Sequence, residues 1–501
     1  MKVKVRLVPI VAIALLAILT LVTRYYALGP ETGDINEATF TIVAQSVLRG
    51  ALPYELALDN KPAGFFYILS GVMGLFGQSN TVVRVFGSAM IFAAAIALLD
   101  VCRRYVSLGL ATTLAALFIV AQASDIGNST KSETIANLFV MLSLLVLLRW
   151  PGSNRASFTA GVLVSAGVLC RSNLSYLALG LALLHLAGLF WPAKLRLRRT
   201  GVVALGLGGL LPLALLILPY ALGDELHLLW VGAVEVAFSQ ASASGGGFVG
   251  RMIMLPHSFV RILPGAAGAL LVVAGIGIWQ LRRTLLQRPE LSRDAWLVGF
   301  YVVAIETSII MSGTFYNHYM LQILGPLLVL AAIGLAGFDW SWRRWSVRFA
   351  MLGIVGSVLW FAPQGLFLAW QQVRGEVPRP IEAAAAVIRP ELRPEDRIWA
   401  TGWTHLILVY LDKDPILPVA AFPSNLTKAV IVAPLVRAGL MPEDGAHAAF
   451  SLLPRYITND RAGAPRQLDD ADAVEFDRRY RLIHSGEGVF VYRLLDEGGA
   501  T

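Results

Sequence analysis

Long apolar runs broken by short polar ones fill most of the chain. Runs near 7–27, 81–101, 108–123, 134–149, 157–170, 174–192, 201–221, 258–280, 295–312, 319–337 and 349–370 are each long enough, some with tilt or flanking residues, to cross ~30 Å of hydrocarbon as helices. A twelfth run, PAGFFYILSGVMGLFG at 62–77, is short and opens with a lysine and a proline. The basic residues decide its fate. If it lies on the membrane surface, the ends carrying Lys2, Lys4 and Arg6, Arg103 and Arg104, Arg149 and Arg155, Lys194 to Arg199, Arg282 to Arg293, and Arg343 to Arg348 all share one side. If it crosses, every cluster after the first changes sides. The positive-inside bias selects the first arrangement, and 62–77 is read as an interfacial helix. The pattern therefore predicts about eleven spans, with a cytoplasmic N-terminus and an outward C-terminus. From about 372 proline and charge rise. IEAAAAVIRPEL reads as an amphipathic helix, the apolar runs RIWATG, ILVYL and RYITND follow, and RLIHSGEGVFVYRL has the form of a hairpin. The expected division is a membrane domain over 1–371, with a first outer loop at 28–80, and a small α/β domain over 372–501.

Composition supports this class. The chain is 56% apolar and only 15% charged, with a mean hydropathy of +0.65, whereas soluble domains carry about a quarter charged residues. The net charge of +8 is concentrated in short loops, which is orientation chemistry and not a nucleic-acid footprint. Cys102 and Cys170 have no paired spacing and define neither a disulfide framework nor a metal site. The N-terminal run lacks a convincing cleavage site and is read as a retained first span. KLRLRRT at 194–200 reads as a topogenic cluster. Gly206-Leu207-Gly208-Gly209 reads as helix packing without a preceding strand, and ASASGGGFVG at 241–250 as a flexible loop.

On this topology the polar residues left over face one compartment. The first loop holds Asp34, Glu37, Glu55, Asp59 and Lys61 among aromatics. Asp34 and Glu37 open a helix expected to be amphipathic over Ala38–Arg49. Their spacing suits a general base, and equally suits N-capping and dipole complementarity. Glu133 opens a span behind Asp125, Asn128 and Thr130, on the same side as Asp34. Lys61 stands at the head of the interfacial helix, where a phosphate would meet it. Arg171 lies between two spans on the side that the positive-inside bias disfavours; its alternatives are snorkelling and phosphate contact. Arg24, Arg84, Arg251 and Arg261 share that side. His318, in TFYNHYMLQ with Tyr319, is a candidate hydrogen-bond donor or metal ligand, and His227 and His257 leave a divalent metal open. No HExxH, P-loop or GxSxG motif is present.

The order of these pieces resembles a known group. Glu37, Phe40, Leu48, Gly50, Pro53-Tyr54, Asp59-Asn60-Lys61-Pro62, Tyr67, Leu75-Phe76-Gly77 and Arg84 occur in sequence, followed by Glu133 at a span start, Arg171, and FYNHYMLQ at 315–322. The set is similar to the bacterial GT-C glycosyltransferases related to the protein O-mannosyltransferases and the lipid A aminoarabinose transferase. That resemblance implies a GT-C-like fold in a bacterial inner membrane, with its site on the periplasmic side and surface helices in the first loop. It implies a polyprenyl-phosphate-linked sugar donor and inverting transfer to a lipid, glycan or protein acceptor. It also implies that Lys61 and Arg171 hold the donor phosphate. Beside it, the residues themselves offer Asp34, Glu37 and Glu133 as catalytic candidates, Arg84 as a further phosphate contact, and Asp59, Asp125, Asn128, His318 and Tyr319 as candidate sugar, acceptor or metal contacts. One departure stands out: the group's Asp-Glu pair is Asn36-Glu37 here. Asp34 or Glu37 then serves as base, or the chain is a non-catalytic binder or transporter of lipid-linked sugars.

Overall fold

The computed structural model describes residues 4–31, 34–122, 129–190, 198–243, 249–253, 266–312, 316–337, 367 and 369–495. The helices of the membrane part run α1 (Lys4–Tyr25), α2 (Ile35–Leu48), α3 (Ala63–Phe76), α4 (Asn80–Cys102), α5 (Leu108–Gln122), α6 (Ser132–Arg149), α7 (Asn154–Cys170), α8 (Ser175–Phe190) and α9 (Gly201–Leu222). They continue with α10 (Leu226–Trp230), a π-helical turn (Val231–Glu235), α11 (Val236–Ala243), α12 (Ala266–Gln287), α13 (Ser292–Met311), a 3-10 segment (Asn317–Gln322) and α14 (Leu324–Gly334). Among the described residues seven segments are long and apolar enough to span, and α3, α5 and α14 are shorter apolar helices. The chain is a multi-pass membrane protein.

Its residues fall into two compact units, the first made of 1–27, 85–215 and 244–373 and the second of 28–84, 216–243 and 374–501. In the first unit, α6 and α7 form an antiparallel hairpin turning at Trp150–Ser153. The glycine tract on α9 is packing surface, as its position in a span suggests: a Cβ on Gly208 would strike the Phe158 carbonyl of α7, and one on Gly161 would strike that of Leu205. On α13, Tyr301 shares a 3.0 Å hydrogen bond with Ser143 of α6. The expected span 319–337 is broken. Its first part is the 3-10 segment, and α14 has only 11 residues, all buried. Pro326, near the start of α14, lacks the N–H that would bond back into the preceding turn, so the regular helix begins there and not earlier. Most of the expected span 349–370 lies outside the described residues.

The second unit is organised by α2. Contrary to the amphipathic helix expected over Ala38–Arg49, α2 is buried on almost every face from Glu37 to Ser46. Three partners cover it. Phe40 meets Phe65 of α3 edge to face at 4.9 Å and Phe66 at 6.4 Å. Thr41 Oγ1 donates to Asn80 Oδ1 at the start of α4, at 2.8 Å. The C-terminal residues cover the third face: Thr39 Oγ1 donates to the Ala421 carbonyl at 3.1 Å, Gln45 Nε2 to Asp412 at 2.9 Å, and Arg49 Nη1 to Asp412 at 2.6 Å.

Those C-terminal residues contribute a four-stranded mixed sheet in the order β1-β2-β4-β3, with β1 Ile398–Ala400, β2 Tyr456–Asn459, β3 Tyr480–Gly486 and β4 Val489–Leu494. β1 and β2 are parallel; the other pairs are antiparallel. RIWATG and RYITND supply β1 and β2. The predicted hairpin supplies β3 and β4 through Glu487 and Gly488, both at positive φ, as a two-residue turn between twisted strands requires. ILVYL differs: it forms α16 (Ile407–Tyr410), part of the long crossover needed to bring β2 parallel to β1. The expected amphipathic helix is α15 (Pro380–Ile388), which buries Ile381, Ala384, Ala385 and Ile388 against β3 and β4.

Candidate active site

In the second unit Asp34 caps α2, with its own backbone extended. Its Oδ1 accepts from the Asn36 amide at 2.9 Å and from Asn36 Nδ2 at 2.7 Å. Asn36, the departure noted above, therefore orients the carboxylate beside it, and Asp34 stays half-exposed. Glu37 is different. Its Oε2 accepts from Arg84 Nε at 2.8 Å, with side chains 0% and 3% exposed respectively. Arg84 also donates to the carbonyls of Pro30 and Glu31. This pair fixes the chain entering α2 and is enclosed by protein.

Asp59, Asn60 and Lys61 form a second group in the same unit. Asp59 is buried and stands 3.6 Å from Lys61 Nζ, which also donates to Asn60 Oδ1 at 2.7 Å and lies 5.5 Å from the Phe40 ring centroid. Tyr54 holds the loop by donating to the Lys61 carbonyl at 2.7 Å. Its backbone is in the left-handed region, φ 78°, a strained state for a tyrosine. The ring is seated on Gly232, where a Cβ would approach it to 2.5 Å; the π-helical turn presents that glycine.

Two residues of this unit escaped the sequence reading. His405 Nε2 donates to the Ile35 carbonyl at 3.0 Å and lies 3.3 Å from Thr39 Oγ1. Burial drives its pKa down to about 4, so the ring is neutral at pH 7. Lys428 stands over Phe422 at 4.8 Å; burial lowers its pKa, with the charge of Asp59 opposing. Neither lies in a periodic or motif context that would have marked it.

In the first unit the fold gathers Glu133, Arg171, His318 and Tyr319. Glu133 is in the first turn of α6, and Arg171 terminates α7, so the hairpin itself brings them together. Arg171 Nη2 is 3.1 Å from Glu133 Oε1, and His318 Nε2 is 3.6 Å from the same oxygen. The Arg171 guanidinium lies 4.1 Å from the Tyr319 ring centroid, and His318 meets that ring edge to face at 4.9 Å. Gln122 Nε2 and Asn137 Nδ2 donate to the Leu321 carbonyl at 3.1 and 3.0 Å and set the 3-10 segment in place. Beside Arg171, the amide oxygen and nitrogen of Asn173 are both buried without a hydrogen-bond partner among the described residues. Asp125 and Asn128 lie outside the described residues. No group of three His, Cys, Asp or Glu side chains suited to a metal occurs among the described residues; Glu133 and His318 are two potential ligands without a third.

No protein-family model and no curated protein sequence matches the chain. Solved structures do. The aminoarabinose lipid A transferase ArnT from Cupriavidus metallidurans, crystallised with undecaprenyl phosphate, superposes with a TM-score of 0.64 at 13% identity, covering 97% of this chain and 98% of that one. The Archaeoglobus fulgidus oligosaccharyltransferase AglB, in complex with an inhibitory peptide and a dolichol-phosphate, gives 0.52 at 12% identity, covering 90% of this chain and 69% of that one. The fold of this chain is therefore the GT-C fold, with its many membrane helices and a small C-terminal sheet.

Proposed function

We propose that the chain is an inverting membrane glycosyltransferase that moves a sugar from a polyprenyl-phosphate donor to a lipid, glycan or protein acceptor on the outer side of a bacterial inner membrane. The observation that carries this reading is the nearly end-to-end fold likeness to an enzyme crystallised with undecaprenyl phosphate, in a chain that also encloses Arg171 against Glu133 and Tyr319. Asp34 is the general base. It is the half-exposed carboxylate of the α2 start, whereas Glu37 is committed to Arg84. In the transfer, the acceptor O–H or N–H gives its proton to Asp34. The acceptor atom bonds to the sugar's anomeric carbon, and the bond from that carbon to the phosphate oxygen breaks. The polyprenyl phosphate leaves with an added negative charge. Arg171 is assigned to that phosphate: its guanidinium offers several donors in a fixed fork, and positioned cations in a dry site are worth far more than in water. Glu133 and Tyr319 hold its orientation. The unpartnered amide of Asn173 is a donor–acceptor pair that sugar hydroxyls would satisfy. Lys61, positioned by Asp59, is the alternative candidate for the phosphate contact.

The test uses the purified chain in lipid nanodiscs with a panel of undecaprenyl-phosphate sugars and acceptors. Asp34→Ala is expected to lower kcat by about 10²–10⁴-fold, the range for loss of a general base, beside the modest loss of stability that removing the α2 cap brings. Arg171→Gln is expected to raise KM for the donor and lower kcat as well. Full turnover by Asp34→Ala would remove the proposed base. Binding of undecaprenyl phosphate by wild type with no turnover of any donor would favour the non-catalytic binder instead.

A further inference from the structure

At the far end of the α6–α7 hairpin from Glu133 and Arg171, the turn encloses an open cavity of about 560 Å³, lined by Arg149, Trp150, Ser153, Asn154, Arg155 and Arg198, among others. Helix α6 is 18 residues long, about 27 Å at 1.5 Å per residue, so this cavity is separate from the Arg171 cluster. Its charge is not internally balanced. Arg149 is taken by Asp100 at 2.9 Å, but Arg155 and Arg198 have no carboxylate partner among the described residues. The cavity is also held in shape. Asn154 Nδ2 donates to Thr200 Oγ1 at 2.8 Å and Thr200 Oγ1 donates back to Asn154 Oδ1 at 3.1 Å. That exchange ties the segment carrying Arg198 to the start of α7. Ser153 caps the amide of Ala156, and the earlier first-turn amides add the positive end of a 17-residue helix. Trp150, 52% exposed, forms an amphipathic edge of the kind found at the headgroup level.

We propose that this cavity binds a phosphate anion, either as the headgroup of an anionic phospholipid or as soluble phosphate. Arg155 and Arg198 supply the charge-assisted hydrogen bonds, and the start of α7 supplies amide donors. The site works independently of sugar transfer and would fasten the turn to its ligand.

Three proteins test this: wild type, R155Q/R198Q, and R282Q/R283Q, which removes the same charge from exposed positions outside the cavity lining. Each full-length chain in detergent is titrated with dioctanoyl phosphatidylglycerol, dioctanoyl phosphatidylcholine and inorganic phosphate. Thermal midpoints and native mass spectra are recorded. R155Q/R198Q is expected to keep the unliganded midpoint and to weaken phosphatidylglycerol binding by about tenfold or more, the scale of two lost charge contacts. R282Q/R283Q is expected to stay close to wild type. Competition by inorganic phosphate identifies a soluble ligand; its absence, with phosphatidylglycerol retained over phosphatidylcholine, identifies a lipid. Equal weakening in both variants, or none in either, overturns the site.

Discussion

The two carboxylates that open α2 look equivalent in sequence, yet Glu37 is enclosed in an ion pair with Arg84 while Asp34 is half-exposed. Removing one partner of a buried ion pair leaves an uncompensated charge and costs about 3–5 kcal/mol. Glu37→Gln should therefore lower the melting temperature and the yield of folded protein, and adding Arg84→Leu to it should recover part of the loss. Asp34→Asn, which keeps a capping side chain, should change neither while lowering kcat by the same 10²–10⁴-fold, roughly, as loss of the base. Equal melting temperatures for Glu37→Gln and wild type would show that the pair is not structural. His405 makes a different prediction. Its pKa is lowered on folding from 6.5 to about 4 by burial, so between those values the unfolded chain holds a proton that the folded chain rejects. Stability is then unaffected above pH 6.5, falls as pH drops from 6.5 towards 4, and levels off below, by about 3 kcal/mol in all. His405→Gln should flatten the dependence of the melting temperature on pH over that window, and an unchanged slope would count against it. Glu133 and Arg171 were legible as charges at span ends. His405 was not, because nothing local distinguishes a lone histidine that will be folded beneath a helix some 370 residues earlier.

Helix length was readable and helix environment was not. A run of apolar residues reports how far a helix can reach, and 62–77 reads as a short one; the structure gives α3 14 residues and leaves Leu75 and Phe76 exposed at its end, while its surface placement rests on the basic clusters. An amphipathic reading assumes one buried face. For α2 that assumption failed, since its second and third partners come from the start of α4 and from the C-terminal residues. The break before α14 was marked in the sequence by Pro326, but span-length reasoning absorbed it into one apolar run. Sidedness remains a prediction at this scale. Cys102 and Cys170 are both buried, so single cysteines introduced at exposed Glu55 and Arg155 can be followed with little background. In intact cells a membrane-impermeant maleimide should label Glu55→Cys and leave Arg155→Cys unlabelled until the cells are permeabilised. Labelling of both sites, or of neither, would mean that α3 crosses, and the reverse pattern would mean that the charge argument has the wrong sign.

For the whole molecule, the sequence exposed a membrane part and a change of composition near 372, but not that the second compact unit is assembled from three separate stretches. Periodicity is a local property, whereas this unit exists because distant residues satisfy one another. Ile35, Thr39, Ser46 and Arg49 recur at helical spacing along α2 and all bond to C-terminal residues: Ile35 to His405, Thr39 to Ala421, Ser46 to Asp414 and Arg49 to Asp412 and Asp414. The Leu58 amide donates to the Pro418 carbonyl at 2.8 Å. A chain ending at Val373 would lose every one of these bonds and uncover one flank of a helix whose Ile42, Val43 and Ala44 are fully buried. α3 alone offers it too little apolar cover, and exposed apolar surface of this kind destabilises by roughly 25 cal/mol per Å². The first loop should then open while spans such as α6 and α7, whose contacts lie in the other unit, persist. Trypsin reads the difference, because Arg49, which Gly50 follows, is a cleavage site that the intact unit holds in ion pairs with Asp412 and Asp414. Rapid cutting after Arg49 in the shortened chain, against slow cutting in the full chain, is the expected result. Identical digestion patterns would mean that the first loop folds without the C-terminal residues, and α2 would then owe its burial to α3 and α4 alone.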